Sequence, residues 1–277
     1  MNMDNTFKIS RFGKYFVYDL KRQWKNIGML MLIFALFPII FYMIYMFFAA
    51  MLDGGLLKIF TGTGIDGPSG GVRFGIFVVM TTIFVMLFPS RAYGEITNKA
   101  KGSEWLMLPA SRLEKFTSMM LISLIVVPIV FVAVYLLSDV FVCLCDKTCG
   151  DSLISFRINE NIIDDSLVFP ANGLWILASS IVGNAIVFLL GGLIFKKWKV
   201  VGTVLVLFAL QMVFSGLLSA FITNADLEWW GNWLNDWTIR HADNLDLWLN
   251  AFINLWLLLI LAICGTWSWF RIKRLQH

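Results

Sequence analysis

The sequence predicts an all-α membrane protein with six transmembrane helices, both termini in the cytoplasm, and an amphipathic helix ahead of the first span. Three observations carry this. Of 277 residues, 59% are apolar and only 14% charged, against roughly a quarter charged in a soluble domain. Six runs are long and apolar enough for a hydrocarbon core that takes about 20 helical residues. The basic residues fall mostly on one side of those runs.

The spans are read at 27–52, 72–89, 117–142, 173–195, 200–222 and 248–270. Backbone groups in lipid must bond within their own segment, and none of these runs alternates as a barrel strand does, so each is helical. Lys8, Arg11, Lys14, Lys21, Arg22 and Lys25 precede the first span. Arg91, Lys99, Lys101, Arg112 and Lys115 follow the second, Lys196, Lys197 and Lys199 follow the fourth, and Arg271, Lys273 and Arg274 follow the sixth. That is seventeen of twenty-two Lys and Arg, whereas thirteen of eighteen Asp and Glu lie on the other side. Because Lys and Arg are retained in the cytoplasm during insertion, both termini are expected there.

A basic segment of 26 residues precedes the first apolar run, which is too long for a signal-peptide core, so that run reads as an uncleaved anchor. The longest stretch between spans, 143–172, is too short to fold alone without staples. One transmembrane domain therefore fills 1–277. Residues 1–26 form an interfacial helix, 90–116 a cytoplasmic loop, and 143–172 and 223–247 the outer loops.

In the N-terminal segment Ile9, Phe12, Phe16, Leu20, Trp24 and Ile27 recur at three- and four-residue steps with basic residues between them. This predicts a helix lying on the inner membrane face. It serves either as a lipid anchor or as a lever joining the first span to something cytoplasmic.

The cytoplasmic loop reads SRAYGEITNKAKGSEWLMLPASRLEKF. The second helix is expected to continue through about Ala100 and break at Lys101-Gly102-Ser103, a turn-forming triplet. Trp105-Leu106-Met107-Leu108 follows as an apolar knob closed by Pro109, and Ser111 and Glu114 form the S-x-x-E capping box that opens the third helix. A knob flanked by charge is a docking surface or tucks under its own helices.

From Trp105 to Phe116 this loop resembles the membrane subunits of ABC-2-type transporters, in particular a bacterial branch. Gly191 to Thr203, GGLIFKKWKVVGT, is a weaker echo, and the six-span topology agrees over the whole chain. The resemblance implies an interfacial connecting helix at Phe7–Trp24, centred on Phe12, Phe16, Leu20 and Trp24. It also implies a coupling helix at about Glu95–Leu108 that seats a separate cytoplasmic ATPase. The residues so placed are Glu95, Lys99, Glu104, Trp105, Leu106, Met107, Leu108 and Arg112. ATP and magnesium would belong to that partner, with no cofactor in this chain. Two membrane subunits, identical or different, would form a dimer in the bacterial cytoplasmic membrane.

Among the outer loops, Leu227, Trp230, Leu234 and Trp237 stand at helical spacing beside Trp229 and Trp233. Tryptophan favours the headgroup boundary, so a short interfacial helix is expected. In the resembling family, helices at this position line the exit. Cys143, Cys145 and Cys149 cluster after the third span. A Cys145–Cys149 disulfide is the pairing considered, with little stabilisation from so short a loop. No His stands near to complete a metal site.

The only histidines are His241 and His277, so no imidazole reaches a nucleophile or metal inside the bundle, and the usual intramembrane hydrolases are excluded. Asp139, near an outer end, is the only carboxylate within the spans, which leaves no charge relay of the kind proton-coupled carriers use. Asn184, Gln211 and Asn254 read as interhelical hydrogen-bonding groups or cavity contacts. Ser179/Gly183 and Gly216/Ala220 offer close packing, and Pro38 and Pro128 mark kinks.

The chain carries no G-x-x-x-x-G-K-S/T phosphate loop, nor any catalytic motif. The function expected is the permease subunit of an ATP-driven exporter, its substrate amphipathic or lipid-like. Lipid and a partner ATPase are its expected contacts; nucleic acid is not. The alternative is a non-transporting scaffold, sensor or immunity protein. A channel would need a polar pore stripe that the spans lack.

Overall fold

The computed structural model describes residues 7–52, 67–97, 108–146, 149, 152–153, 173–224, 227–240 and 245–275. Among these, nine α-helices and no strand occur, and six helical stretches are long and apolar enough to cross a membrane. The chain divides into two compact units. The first takes Met1–Ala92 and Pro109–Leu167, the second Tyr93–Leu108 and Val168–His277.

The first unit holds α1 (Ile9–Ala35), α2 (Phe37–Leu52), α3 (Gly70–Ala92), α4 (Arg112–Leu121), a π-turn (Ile122–Val126) and α5 (Val127–Cys145). An interfacial helix ending near residue 26 was expected to be separate from the first span. Instead α1 runs unbroken through that junction, and the helical stretch that holds the first apolar window extends over Ile9–Ala49. Nothing in the segment forces a break, because a sharp kink needs a proline, a Gly/Ser pair or an insertion into the ladder. The break falls at Leu36 instead. Two residues on, Pro38 lacks an N–H and its ring crowds the carbonyl of Phe34.

The α3 helix passes through Pro89 and stops at Ala92, not near Ala100 as expected, and a 3₁₀ turn takes over at Gly94–Thr97. Before α4, Ser111 is extended and forms the expected capping box. Pro128 is the second residue of α5, with only Val127 between it and the π-turn. The wider turn accommodates a ring that would clash inside a regular helix.

Aromatic rings fill the core of this unit. Phe84 of α3 stacks on Phe131 of α5 with centroids 4.1 Å apart, Phe77 meets Tyr135 at 5.1 Å, and Phe34 of α1 reaches Phe84 at 6.2 Å. Phe77, Phe84 and Phe88 recur at helical spacing on α3, and all are buried.

The second unit holds the 3₁₀ turn with α6 (Gly173–Ile194), α7 (Lys199–Asn224), α8 (Leu227–Arg240) and α9 (Leu245–Leu275). The α6 helix is its hub, burying Ala185, Ile186, Phe188, Leu189 and Leu193 and packing on both α7 and α9. Close approach comes from glycine. A Cβ on Gly191 would overlap the Thr203 side chain, and one on Gly183 would touch Leu257 at 3.7 Å. Trp198, in the turn before α7, is 78% exposed and has φ of 54°, a left-handed conformation unusual for a side-chain-bearing residue.

Candidate functional site

At the basic end of the first unit, one carboxylate ties the starts of α1 and α4 together. Glu114 Oε2 accepts from Ser111 N at 2.8 Å, and Glu114 N donates to Ser111 Oγ at 3.3 Å, which together close the capping box. The same carboxylate accepts from Lys8 N at 2.9 Å. It also accepts from Arg11 Nε at 2.8 Å and from Arg11 Nη2 at 2.9 Å. Burial alone would raise the Glu114 carboxyl. The Arg11 hydrogen bond, the Lys8 and Ser111 backbone N–H groups and the Arg11 charge outweigh it and hold the carboxyl at about 2. Glu114 stands in the first turn of α4, ahead of the span expected to open at Thr117. Burial pushes the neighbouring Lys115 ammonium down to about 8.

One turn further along, Asp19 Oδ2 accepts from Ser118 Oγ at 2.9 Å, and Asp19 and Gln23 are both buried. The face of α1 that packs into the unit is therefore Tyr15, Asp19, Gln23, Ile27, Met31 and Ala35. It differs from the stripe expected to meet lipid. Phe12, Phe16 and Leu20 are half-buried and Trp24 is exposed.

Of the residues expected to couple to a partner, Lys99, Glu104, Trp105, Leu106 and Met107 lie outside the described residues, as does the side chain of Glu95. Leu108 and Arg112 are half-buried. The backbone of Glu95 sits in the 3₁₀ turn Gly94–Thr97, which packs on α6. The Lys199 side chain lies over Gly94, 2.7 Å from where a Cβ would stand.

At the far end of the first unit, Arg73 Nη1 donates to Asp139 Oδ1 at 3.0 Å, and both side chains are buried. Arg73 Nη2 donates to the Cys149 carbonyl at 3.1 Å, Leu153 N donates to Asp139 Oδ2 at 2.8 Å, and the Tyr42 hydroxyl donates to Asp146 Oδ2 at 2.5 Å. These bonds strap the loop after α5 across α2, α3 and α5. The one carboxylate read inside a span is thus half of a buried ion pair. The sequence carried a signal for it: opposite charges at matching depth on two neighbouring antiparallel spans.

Cysteine pairing differs from the expectation, since Cys143 is bonded to Cys149 while Cys145 is free and exposed. Positions 143 and 145 are about 200° apart around the helix, so only one faces Cys149, and it is the first. Among the described residues no group of three or more His, Cys, Asp or Glu could hold a metal ion.

The tryptophan-rich helix appears as α8. Trp233 is 48% exposed and Trp237 meets Trp248 of α9 edge-on at 6.1 Å, whereas the side chain of Trp230 lies outside the described residues. Asn254 Oδ1 accepts from Trp175 Nε1 at 2.7 Å and so joins α6 to α9. Asn184 is half-buried; Gln211 is exposed, as are Gly216 and Ala220, where a Cβ on Gly216 meets nothing.

These helices define the class, a multi-pass α-helical membrane protein. Comparison of the chain with protein-family models, with curated proteins and with solved structures gives no match.

Proposed function

We propose that the chain is the membrane subunit of an ATP-driven ABC-2-type exporter. In this reading both termini are cytoplasmic, the subunit works as a dimer in a bacterial cytoplasmic membrane, and a separate ATPase holds the ATP and magnesium. The observation that supports it best concerns the segment between α3 and α4. Tyr93–Leu108 belongs with the second unit although Ala92 and Pro109, on either side of it, belong with the first. A force applied there enters both units through the backbone. Beyond it, Arg11 and Lys8 bind Glu114 and carry the force to α1. The scarcity of charge in the spans favours an amphipathic or lipid-like cargo.

The test is association. Trp105→Ala and Glu95→Ala are expected to lower recovery of the ATPase with the tagged chain at least fivefold while membrane insertion is unchanged. Undiminished recovery with both variants removes the coupling role from this segment.

A further inference from the structure

At the end of the second unit where α6 and α9 both terminate, a groove of about 700 Å³ runs between them. Ile194, Ile263, Trp267 and Phe270 form its apolar walls, and Arg271 and Arg274 close one end. Among the described residues no acidic one lines it. Arg271 Nε donates to the Leu193 carbonyl at 3.4 Å, one of the carbonyls that a helix C-terminus leaves without an internal partner. This bond fixes the guanidinium at the end of α6 and, among the described residues, leaves its terminal nitrogens for a ligand.

We propose that this groove holds one anionic glycerophospholipid, its phosphate on Arg271 and Arg274 and an acyl chain along Ile194, Ile263 and Phe270. Three observations commit the site to a lipid over a free phosphate. The lining is graded, apolar along its length apart from Thr266, whose hydroxyl donates to the Ala262 carbonyl, and cationic at one end only. From Ile263 to Arg274 the α9 helix rises about 16 Å, enough for a headgroup and much of an acyl chain. Phe270 and Trp267 are 60% and 57% exposed at the end of a helix that crosses the membrane, so the groove opens sideways to lipid, where aromatic rings mark the headgroup level. Paired guanidinium groups suit phosphate oxygens by geometry as well as charge, and basic pockets between spans take anionic headgroups. The site depends on the six-span topology and not on the export reading; the cytoplasmic position of the C-terminus specifies only the leaflet.

Native mass spectrometry of the full purified chain tests this, with phosphatidylglycerol or phosphatidylcholine of identical acyl chains added. One phosphatidylglycerol per chain is expected to be retained, with at least tenfold preference over phosphatidylcholine. R271Q/R274Q should reduce retention about tenfold, as should I263W, which fills the apolar wall and leaves both arginines in place. K196Q/K197Q, in the neighbouring turn, should not. If R271Q/R274Q loses helicity, R274Q with I263W carries the test. Equal retention of the two lipids, undiminished retention in the groove variants, or displacement of the lipid by inorganic phosphate would each overturn the proposal.

Discussion

Arg11 and Glu114, 103 residues apart in sequence, form a two-point ion pair at 2.8 and 2.9 Å that bolts the start of α1 to the start of α4. The carboxylate is fully buried, while the arginine keeps 30% of its side-chain surface exposed. Removing the arginine leaves a buried carboxylate with only backbone donors. Arg11→Ala is therefore expected to cost about 1–3 kcal/mol, seen as a lowered midpoint in detergent unfolding, and Glu114→Ala in the same background should cost less than it does alone.

The same carboxylate makes stability depend on pH. Its folded value, about 2, lies below its ordinary value of 4.5. The stabilisation is thus fully present above about 4.5 and is lost as pH falls from there toward 2. The gap in melting temperature between the natural chain and Glu114→Gln should be constant from pH 7 to 5 and narrow steadily below that. A gap that widens on acidification would reverse the sign.

Arg73 and Asp139 are buried at 6% and 2% side-chain exposure. Taking away one charge strands the other, so Asp139→Asn and Arg73→Gln should each destabilise by about 3–5 kcal/mol. Replacing both by Met and Leu should cost far less, as an equilibrium unfolding series would reveal.

Glycine at 191 is required by the approach of Thr203. Gly191→Ala should cost about 1–3 kcal/mol through overpacking, and Thr203→Gly should rescue it. Gly216→Ala, in open space, is the control and should leave the melting temperature unchanged or slightly raised.

Much of this fold could be read from local pattern. Six apolar runs, the Ser111–Glu114 box, the helix around Trp233 and the hydrogen-bonding role of Asn254 all rest on spacing or on the cost of a polar group in lipid. What escaped depends on distant partners. Asp19 and Gln23 look like the solvent side of an amphipathic helix until Ser118, 99 residues away from Asp19, meets it. Trp24 and Phe16 drew attention because they are large and evenly spaced, yet α1 packs by the edge that runs through Tyr15, Asp19, Gln23 and Ile27. The Cys143–Cys149 pairing depends on which way the loop after α5 turns, which Arg73 decides by holding the Cys149 carbonyl. The end of α3 at Ala92, with the 3₁₀ turn Gly94–Thr97 after it, is likewise not marked by local propensity.

The central claim is that this chain is driven by a partner's ATP hydrolysis. The most direct measurement is magnesium-dependent ATP hydrolysis by the tagged chain purified from its native membrane in mild detergent, together with the stoichiometry of the polypeptides present. The account predicts hydrolysis by a stoichiometric ATPase subunit that is lost, along with that subunit, in Trp105→Ala. A folded chain that purifies with neither ATPase nor hydrolysis would contradict it and leave the non-transporting reading in its place.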